Sequence, residues 1–337
     1  MITLGIESTA HTLGIGIVEN GKVLSNEMDT FRPKNEGILP RKAADHHAET
    51  FKQVFDSALD KANITIQDVD LISFAQGPGI GAPLRVGIVC AKYLAAKFNK
   101  KIIGVNHAYA HVKVSEHLTG LHNPLVLYVS GGNTQILIED LIEEPNTRAK
   151  HLAIHVLGET LDIGIGNLFD SFGRAIGLEY AHGAVLAKLA ESGKYVELPY
   201  TVKGMNLVFS GLLTQAEKLV REGAKKEDIA YSLFETSFAM LCEATERALF
   251  LTKKKNLIVC GGVAQNRKLQ EMLRLMCKED GVQFGVAPDE FNRDNGAMIA
   301  YAGEVLFKKY GTHPIQYWKP IQNYRVEMIR KIMTGEN

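Results

Sequence analysis

The chain has no surplus of either charge: Lys+Arg and Asp+Glu both number 38 in 337 residues, so the formal net charge is zero. That argues against a strong nonspecific DNA binder, which usually carries a basic excess. It leaves room for an RNA met through a local basic patch or delivered by a partner. No apolar run reaches the roughly 18 residues a membrane span requires. No charged-then-apolar leader stands ahead of Ile2-Thr3-Leu4-Gly5-Ile6, where a strand pattern opens the chain, so a cytoplasmic protein with no membrane partner is expected. The four cysteines, Cys90, Cys242, Cys260 and Cys277, form no C-x-x-C pair. A chain of this length needs no disulfides, and buried thiols in a reducing compartment are expected. Low-complexity segments and long linkers are also missing. What remains is ordinary globular composition, 46% hydrophobic and 23% charged, long enough for two domains with their own cores.

An internal echo organises the chain. Ile2–Ile6 reads as a strand, Glu7-Ser8-Thr9 as a polar turn, Leu13–Val18 as a second strand, Gly21 as a hairpin signal and Lys22–Glu27 as a third strand. The pattern returns with the strand Leu125–Val129, the turn Ser130-Gly131-Gly132-Asn133-Thr134 and the strand Gln135–Glu139. Two such openings argue for two related lobes. Alternating segments follow the first: helix Asp45–Asn63, strand Leu71–Ala75, helix Arg85–Phe98, strand Lys101–Val105 and helix Ala108–Leu118. After the second come helix Lys226–Thr252, strand Asn256–Cys260 and helix Asn266–Cys277. Mixed sheets carrying helices on their faces are the expected α/β outcome. Gly296–Lys309 reads as a closing helix that returns to the first lobe.

Several patterns carry chemistry. His107 and His111 stand four apart at a helix start, on one face, a spacing that suits two imidazoles on one metal ion. The same spacing also occurs on solvated faces. A zinc-protease motif places a glutamate after the first histidine; Ala108 stands there, so that reading lacks its general base. Ser130-Gly131-Gly132-Asn133-Thr134 has more glycine than a hairpin needs, and glycines let backbone approach a phosphate. Gly261-Gly262-Val263-Ala264-Gln265-Asn266 joins a strand to a helix, where N–H groups meet the positive helix end. Gly77-Pro78-Gly79-Ile80-Gly81 is either a ligand loop or a tight turn. Asp294 before the last helix is either an N-terminal cap or a carboxylate ligand. Glu159, Asp162 and Asp170 bring further acids beside Gly-rich turns, and the pair His46-His47 reads as surface or local structure.

Taken in order, Gly5-Ile6-Glu7-Ser8-Thr9-Ala10, Gln76-Gly77-Pro78-Gly79, Asn106-His107, His111, Ser130–Gln135, Gly158-Glu159-Thr160-Leu161-Asp162 and Gly261-Gly262-Val263-Ala264 form a distinctive set. The set resembles the universal tRNA threonylcarbamoyladenosine synthesis family (TsaD/OSGEP-like, once labelled O-sialoglycoprotein endopeptidase), in its archaeal and eukaryotic KEOPS-type branch. The resemblance implies an α/β actin-like ATPase (ASKHA) fold of two duplicated RNase H-like lobes with the site in the cleft. Residues 1–124 would form lobe I, with the C-terminal helix 296–325 packing back on it, and 125–295 lobe II. It implies one metal ion, iron or zinc, on His107, His111, Tyr128 and Asp294, with His107, His111 and Asp294 in catalytic roles. It implies contacts to threonylcarbamoyl-AMP or an adenine nucleotide from Tyr128, Val129, Ser130, Gly131, Gly132, Asp170, Gly183 and Asn266. Ala181-His182 replaces the family's usual Pro-Gly before Gly183, Ala187 stands where an acid is common, Gln265 replaces the usual Ala before Asn266, and Asp140–Lys150 resembles an insertion.

The implied reaction is transfer of the threonylcarbamoyl group from threonylcarbamoyl-AMP to N6 of an anticodon-loop adenosine, giving t6A in tRNAs that read codons beginning with A. The implied partners are tRNA and KEOPS-type subunits: a small kinase-like ATPase, a small dimerising subunit and a tRNA-binding subunit. The rivals are an ASKHA small-molecule kinase, which leaves the two histidines unexplained, and a non-catalytic nucleotide-binding scaffold.

Overall fold

The computed structural model describes residues 1–32, 37–143, 150–180 and 182–336. In chain order the strands and helices are β1 (Ile2–Glu7), β2 (Thr12–Glu19), β3 (Lys22–Thr30), α1 (Pro40–Ala62), β4 (Leu71–Gly77), α2 (Gly81–Lys97), β5 (Lys101–Asn106) and α3 (His107–Thr119). Then come β6 (Leu125–Val129), β7 (Thr134–Glu143), β8 (Lys150–Glu159), α4 (Ile165–Ala175), α5 (Gly183–Ala190), β9 (Val202–Lys203), β10 (Asn206–Leu207), α6 (Ser210–Arg221) and α7 (Lys226–Thr252). The chain closes with β11 (Asn256–Cys260), α8 (Arg267–Glu279), β12 (Gln283–Val286), α9 (Asp289–Asn292), α10 (Gly296–Tyr310) and α11 (Ile329–Thr334).

Two compact units result: 1–32, 37–114 and 289–336 form one, and 115–288 the other. Their sheets have the same plan. The first runs β3-β2-β1-β4-β5 and the second β8-β7-β6-β11-β12. In each, three antiparallel strands from one meander are extended by two parallel strands. The echo read in the sequence is therefore a duplicated topology. Asp294 falls in the unit that holds His107 and His111.

In the first unit, glycine decides how close the closing helix comes. Gly5 on β1 lies opposite Gly16 on β2. A Cβ on Gly5 would sit 2.2 Å from the Gly296 carbonyl oxygen, and one on Gly16 would sit 2.1 Å from the Ala297 nitrogen. The bare track lets α10 rest directly on strand backbone, with Ala297 and Ala300 fully buried. Alternate residues of a strand face opposite sides, and on the other side Ile6 approaches Gly87 of α2. Sandwiched this way, β1 and β2 are buried nearly throughout, as strands covered on both faces are.

In the second unit, β6 is buried throughout and β11 is apolar and buried after its first residue, Asn256, and the long α7 runs through the centre of the core. Phe169 of α4 meets Phe234 and Phe238 of α7 at ring separations of 4.3 and 5.8 Å, contacts that add about 0.5–1.5 kcal/mol each beyond their buried area. They fix the helix that carries Asp170. The proposed insertion Asp140–Lys150 begins as a continuation of β7 and ends at the start of β8, with Glu143 paired to Lys150; its residues 144–149 lie outside the described residues, as does Ala181. Ala187 packs against the core of this unit, and no helix among the described residues is long and apolar enough to cross a membrane.

Candidate active site

In both sheets the parallel strands end at the same edge, so the loops after β1, β4 and β5 gather in the first unit and those after β6 and β11 in the second. Ligand sites of open α/β sheets form at such carboxyl ends.

At the first edge, Asn106 ends β5 and caps α3, its side-chain oxygen accepting the Tyr109 N–H at 3.1 Å, the bond expected of an N-cap to the third helical residue. The helix then sets His107 and His111 on one face, with ring centres 4.8 Å apart. Asp294 joins them just ahead of α10. The helix is capped by Asn295, whose side-chain oxygen accepts the Met298 N–H at 2.9 Å. Capping thus falls to Asn295, and Asp294 turns to the histidines. Its Oδ1 lies 3.4 Å from His107 Nε2 and 3.3 Å from His111 Nε2.

These atoms fit a metal ion. Donors bound at about 2.1 Å in tetrahedral geometry lie about 3.4 Å from one another, close to both distances. His107, His111 and Asp294 each offer a donor atom, all within 4.8 Å of one another. His107 and His111 are buried, and Asp294 is one-fifth exposed. Burial, the largest influence on His111, pushes it below the ordinary histidine range. Burial works to raise the Asp294 carboxyl, but the two histidines overcome it and hold the group well below the usual carboxylate range. A neutral imidazole and an ionised carboxylate are the ligating forms.

Behind His107 stands Glu7, the last residue of β1 and fully buried. Its Oε2 lies 2.9 Å from His107 Nδ1, while its Oε1 accepts the Thr9 N–H at 2.6 Å and the Thr9 hydroxyl at 2.5 Å. With Nδ1–H donated to Glu7, the His107 lone pair is on Nε2, facing Asp294. This is the carboxylate–histidine arrangement that fixes tautomer and ring orientation at metal sites. Sequence reasoning places Glu7 within a motif but gives it no role. The available signal is an acid closing an otherwise apolar, buried strand, since carboxylates are almost never fully buried without a partner.

At the second edge, Tyr128 and Val129 end β6, both fully buried. The turn that follows is tied by Ser130 N–H to the Asn133 carbonyl at 2.8 Å. The start of α4 docks on it: Gly166 N–H donates to the Ser130 carbonyl at 3.1 Å and Asn167 N–H to that of Gly131 at 2.9 Å. Gly261 closes on the same strand end. Its φ is +96°, and a Cβ there would sit 2.4 Å from the Val129 carbonyl oxygen, so both conformation and space demand glycine. Asn266 caps α8, accepting from Lys268 and Leu269 N–H at 3.0 and 3.3 Å. Gly183 opens α5 and faces Phe169, the neighbour of Asp170.

The fold thus brings Tyr128–Gly132 together with Gly164–Asn167 and Gly261, while Gly183 faces Phe169, Asp170 follows Phe169 on α4, and Asn266 lies past the 3-10 turn that follows Gly261. Asp162 serves the structure, because its carboxylate accepts N–H bonds from Ile163, Phe209 and Ser210 at 2.7, 3.0 and 2.7 Å. Although burial works against it, these bonds lower its pKa to about 2. The loop at Gly77–Gly81 is a joint rather than an open cradle, since Gly79 N–H donates to the Gln322 carbonyl and Ile80 N–H to that of Thr9. His46 and His47 are also not a surface pair. His47 is fully buried, and its Nδ1 lies 3.2 Å from that of His46, whose Nε2 meets Asp29 at 2.9 Å.

The sequence model of the TsaD family, tRNA N6-adenosine threonylcarbamoyltransferase, matches residues 22–301. The chain is 52% identical to the tRNA N6-adenosine threonylcarbamoyltransferase of Thermococcus sibiricus over 310 residues, 91% of this chain and 92% of that one. It is 44% identical to the protein of the same name from Archaeoglobus fulgidus, over 97% of this chain and 98% of that one. A probable bifunctional tRNA threonylcarbamoyladenosine biosynthesis protein from Methanocaldococcus jannaschii is 46% identical over 98% of this chain, which spans 60% of that longer protein. Among solved structures, T. kodakarensis HypF superposes with a TM-score of 0.60 at 16% identity, over 92% of this chain and 48% of that one. The activator of the 2-hydroxyisocaproyl-CoA dehydratase from Clostridium difficile does so at 0.50 and 12%, over 92% and 96%. These likenesses are of fold, and with the duplicated sheet order they make this an actin-like ATPase fold. The sequence matches go further: the chain belongs to the TsaD family of tRNA N6-adenosine threonylcarbamoyltransferases.

Proposed function

We propose that this chain transfers the threonylcarbamoyl group of threonylcarbamoyl-AMP to N6 of an anticodon-loop adenosine in tRNA, forming t6A. The observation that carries the chemistry is the convergence of His107 Nε2, His111 Nε2 and Asp294 Oδ1, with Glu7 fixing His107 from behind. In the reaction the N6 nitrogen attacks the carbamoyl carbon, a C–N bond forms, the bond from that carbon to the phosphate oxygen breaks, AMP departs with the electron pair, and the proton lost from nitrogen passes to the departing phosphate or to solvent.

His107, His111 and Asp294 would hold one iron or zinc ion, which when bound supplies Lewis-acid polarisation and a fixed anchor for the substrate. The chain's residues do the rest by placement. Ser130, Gly131 and Gly132, on the turn after β6, and Asn266, at the head of α8, supply the polar backbone and helix end that suit a nucleotide phosphate. Tyr128, Val129, Asp170 and Gly183 stand around that turn and on α4 and α5 as its remaining nucleotide contacts. Holding both reactants in register contributes on the order of 7–11 kcal/mol in favourable cases, and the sequence singles out no general base. The kinase alternative is disfavoured, because the matched family and its named relatives are threonylcarbamoyltransferases rather than phosphotransferases. Partners of the proposed reaction are tRNA and the KEOPS-type subunits named above, with the cytoplasm as its setting.

The test is mass spectrometry of nucleosides from unmodified tRNA after incubation with this protein, those subunits and threonylcarbamoyl-AMP. The native chain yields t6A; His107→Ala yields none and retains no metal. Full transfer by His107→Ala with native metal content would refute the proposal.

A further inference from the structure

The segment beyond α10 carries an unassigned role. It lies past residue 301, where the family model ends, although whole-chain relatives match through it; Trp318 is fully buried and Tyr324 almost so. Trp318 lies edge-on to Phe74 of β4 at 6.3 Å. It also rests on Gly104 of β5, the register partner of Phe74, where a Cβ would come within 2.8 Å of the indole. Burial of an aromatic pair would serve any terminal tail. The polar contacts are more particular. Gln76 Nε2 donates to the Lys319 carbonyl at 2.8 Å, and Ile321 N–H donates to the Gln76 carbonyl at 2.8 Å. Gly79 N–H donates to the Gln322 carbonyl at 3.1 Å. Asn106 Nδ2 donates to the Tyr324 carbonyl at 2.8 Å.

Asn106 is fully buried and uses both ends of its amide. Its oxygen caps the helix that begins with His107, and its nitrogen holds the tail. A second route runs through the loop, where Gly79 is bound to Gln322 and Ile80 to the Thr9 carbonyl. Thr9 in turn holds Glu7, and Glu7 holds His107. The tail therefore reaches the metal-site histidine from two sides, through its helix and through its carboxylate partner.

We propose that residues 314–324 act as a strap that sets the position of the metal-binding helix, with Asn106 as the positioning residue that couples strap to helix. The inference rests on the reading of His107, His111 and Asp294 as metal ligands. Asn106→Ser separates the strap from simple capping, because serine caps a helix as well as asparagine does but is too short to reach Tyr324. The measurement is the zinc dissociation constant of the folded chain, by competition with a chromophoric chelator, with the visible spectrum of the cobalt(II)-substituted protein beside it. Partners that orient metal ligands typically contribute 10–100-fold in affinity. Asn106→Ser is expected to weaken zinc by about 10-fold and to alter the cobalt bands, as Asn106→Ala does.

Native affinity and native bands in Asn106→Ser, with loss only in Asn106→Ala, would reduce Asn106 to a cap and overturn the strap. If Asn106→Ser does not fold by circular dichroism, the same titration on Gln76→Ala decides: weakened zinc supports the strap, and unchanged zinc overturns it. A native chain that binds neither zinc nor cobalt would fail at the metal reading itself, and the strap with it.

Discussion

Replacing Glu7 by glutamine tests the histidine's support with almost no change of shape. In the native chain the carboxylate accepts three bonds, from Thr9 N–H, the Thr9 hydroxyl and His107 Nδ1–H. The glutamine amide has one oxygen and one NH2 group for the same three donors. If its oxygen keeps the two Thr9 bonds, its NH2 faces Nδ1. The imidazole must then accept there and carry its proton on Nε2, which removes the lone pair a metal ion needs. If the amide turns over, NH2 faces the Thr9 N–H in a fully buried place. A bound metal ion needs the Nε2 lone pair and so forces the second arrangement, which leaves the buried Thr9 N–H unmade, at about 1–3 kcal/mol. A tenfold change in binding is about 1.4 kcal/mol, so zinc affinity should fall roughly 5- to 150-fold, which overlaps the 10–100-fold typical of such outer partners. The assay is zinc competition against a chromophoric chelator on folded protein. A folded Glu7→Gln variant with zinc affinity within about twofold of native would refute the tautomer argument.

Two further outcomes follow from the packing. Gly16→Ala places a methyl group 2.1 Å from the Ala297 nitrogen, so α10 must lift. A cost of about 3 kcal/mol is expected, read as a lower urea midpoint together with weaker zinc binding as Asp294 shifts, whereas Gly211→Ala, in helix α6 with open space around it, should leave zinc binding unchanged and not lower the midpoint. His47 gives a pH dependence: burial, helped by His46, lowers its pKa from 6.5 to about 4. The unfolded chain therefore binds the extra proton first, so this contribution to stability is complete above about pH 6.5 and drains away as pH falls to about 4, by about 3 kcal/mol at most. His47→Gln should flatten the fall in urea midpoint between pH 7 and 4; an unchanged slope would count against it.

The parts legible in the sequence are those with a local signal. Leu125–Val129, Lys226–Thr252 and Asn256–Cys260 begin and end where their apolar patterns do. The helix after the Gly77 loop begins at Gly81, four residues ahead of Arg85, because a buried Pro83 is tolerated in a first helical turn. Strand β8 and helices α4, α5 and α6 are not legible. Neither β8, the outer strand of its sheet, nor the eight-residue α5 offers the long periodic run that makes an element readable. His46-His47 reads as surface or local structure, and the second holds: adjacent helical residues diverge, yet Asp29 and the turn at Ala10 draw the two imidazoles together, a tertiary effect with no local trace.

The candidate site divides along the same line. His107 and His111 announce themselves by spacing, because one helix supplies both. Asp294 is ambiguous in sequence, since an acid before a helix is the ordinary cap. Only the neighbouring Asn295 settles the matter, by capping the helix itself and leaving the carboxylate to the histidines. Glu7 and Asn106 escape because their partners lie 100 and 218 residues away in sequence. Yet both close a buried strand, at Glu7 for β1 and at Asn106 for β5. A polar residue in that position has no solvent to satisfy it, so it must hold something. Strand-ending polar residues in parallel sheets are therefore where this family's supporting contacts should be sought, ahead of the exposed charges that composition draws attention to.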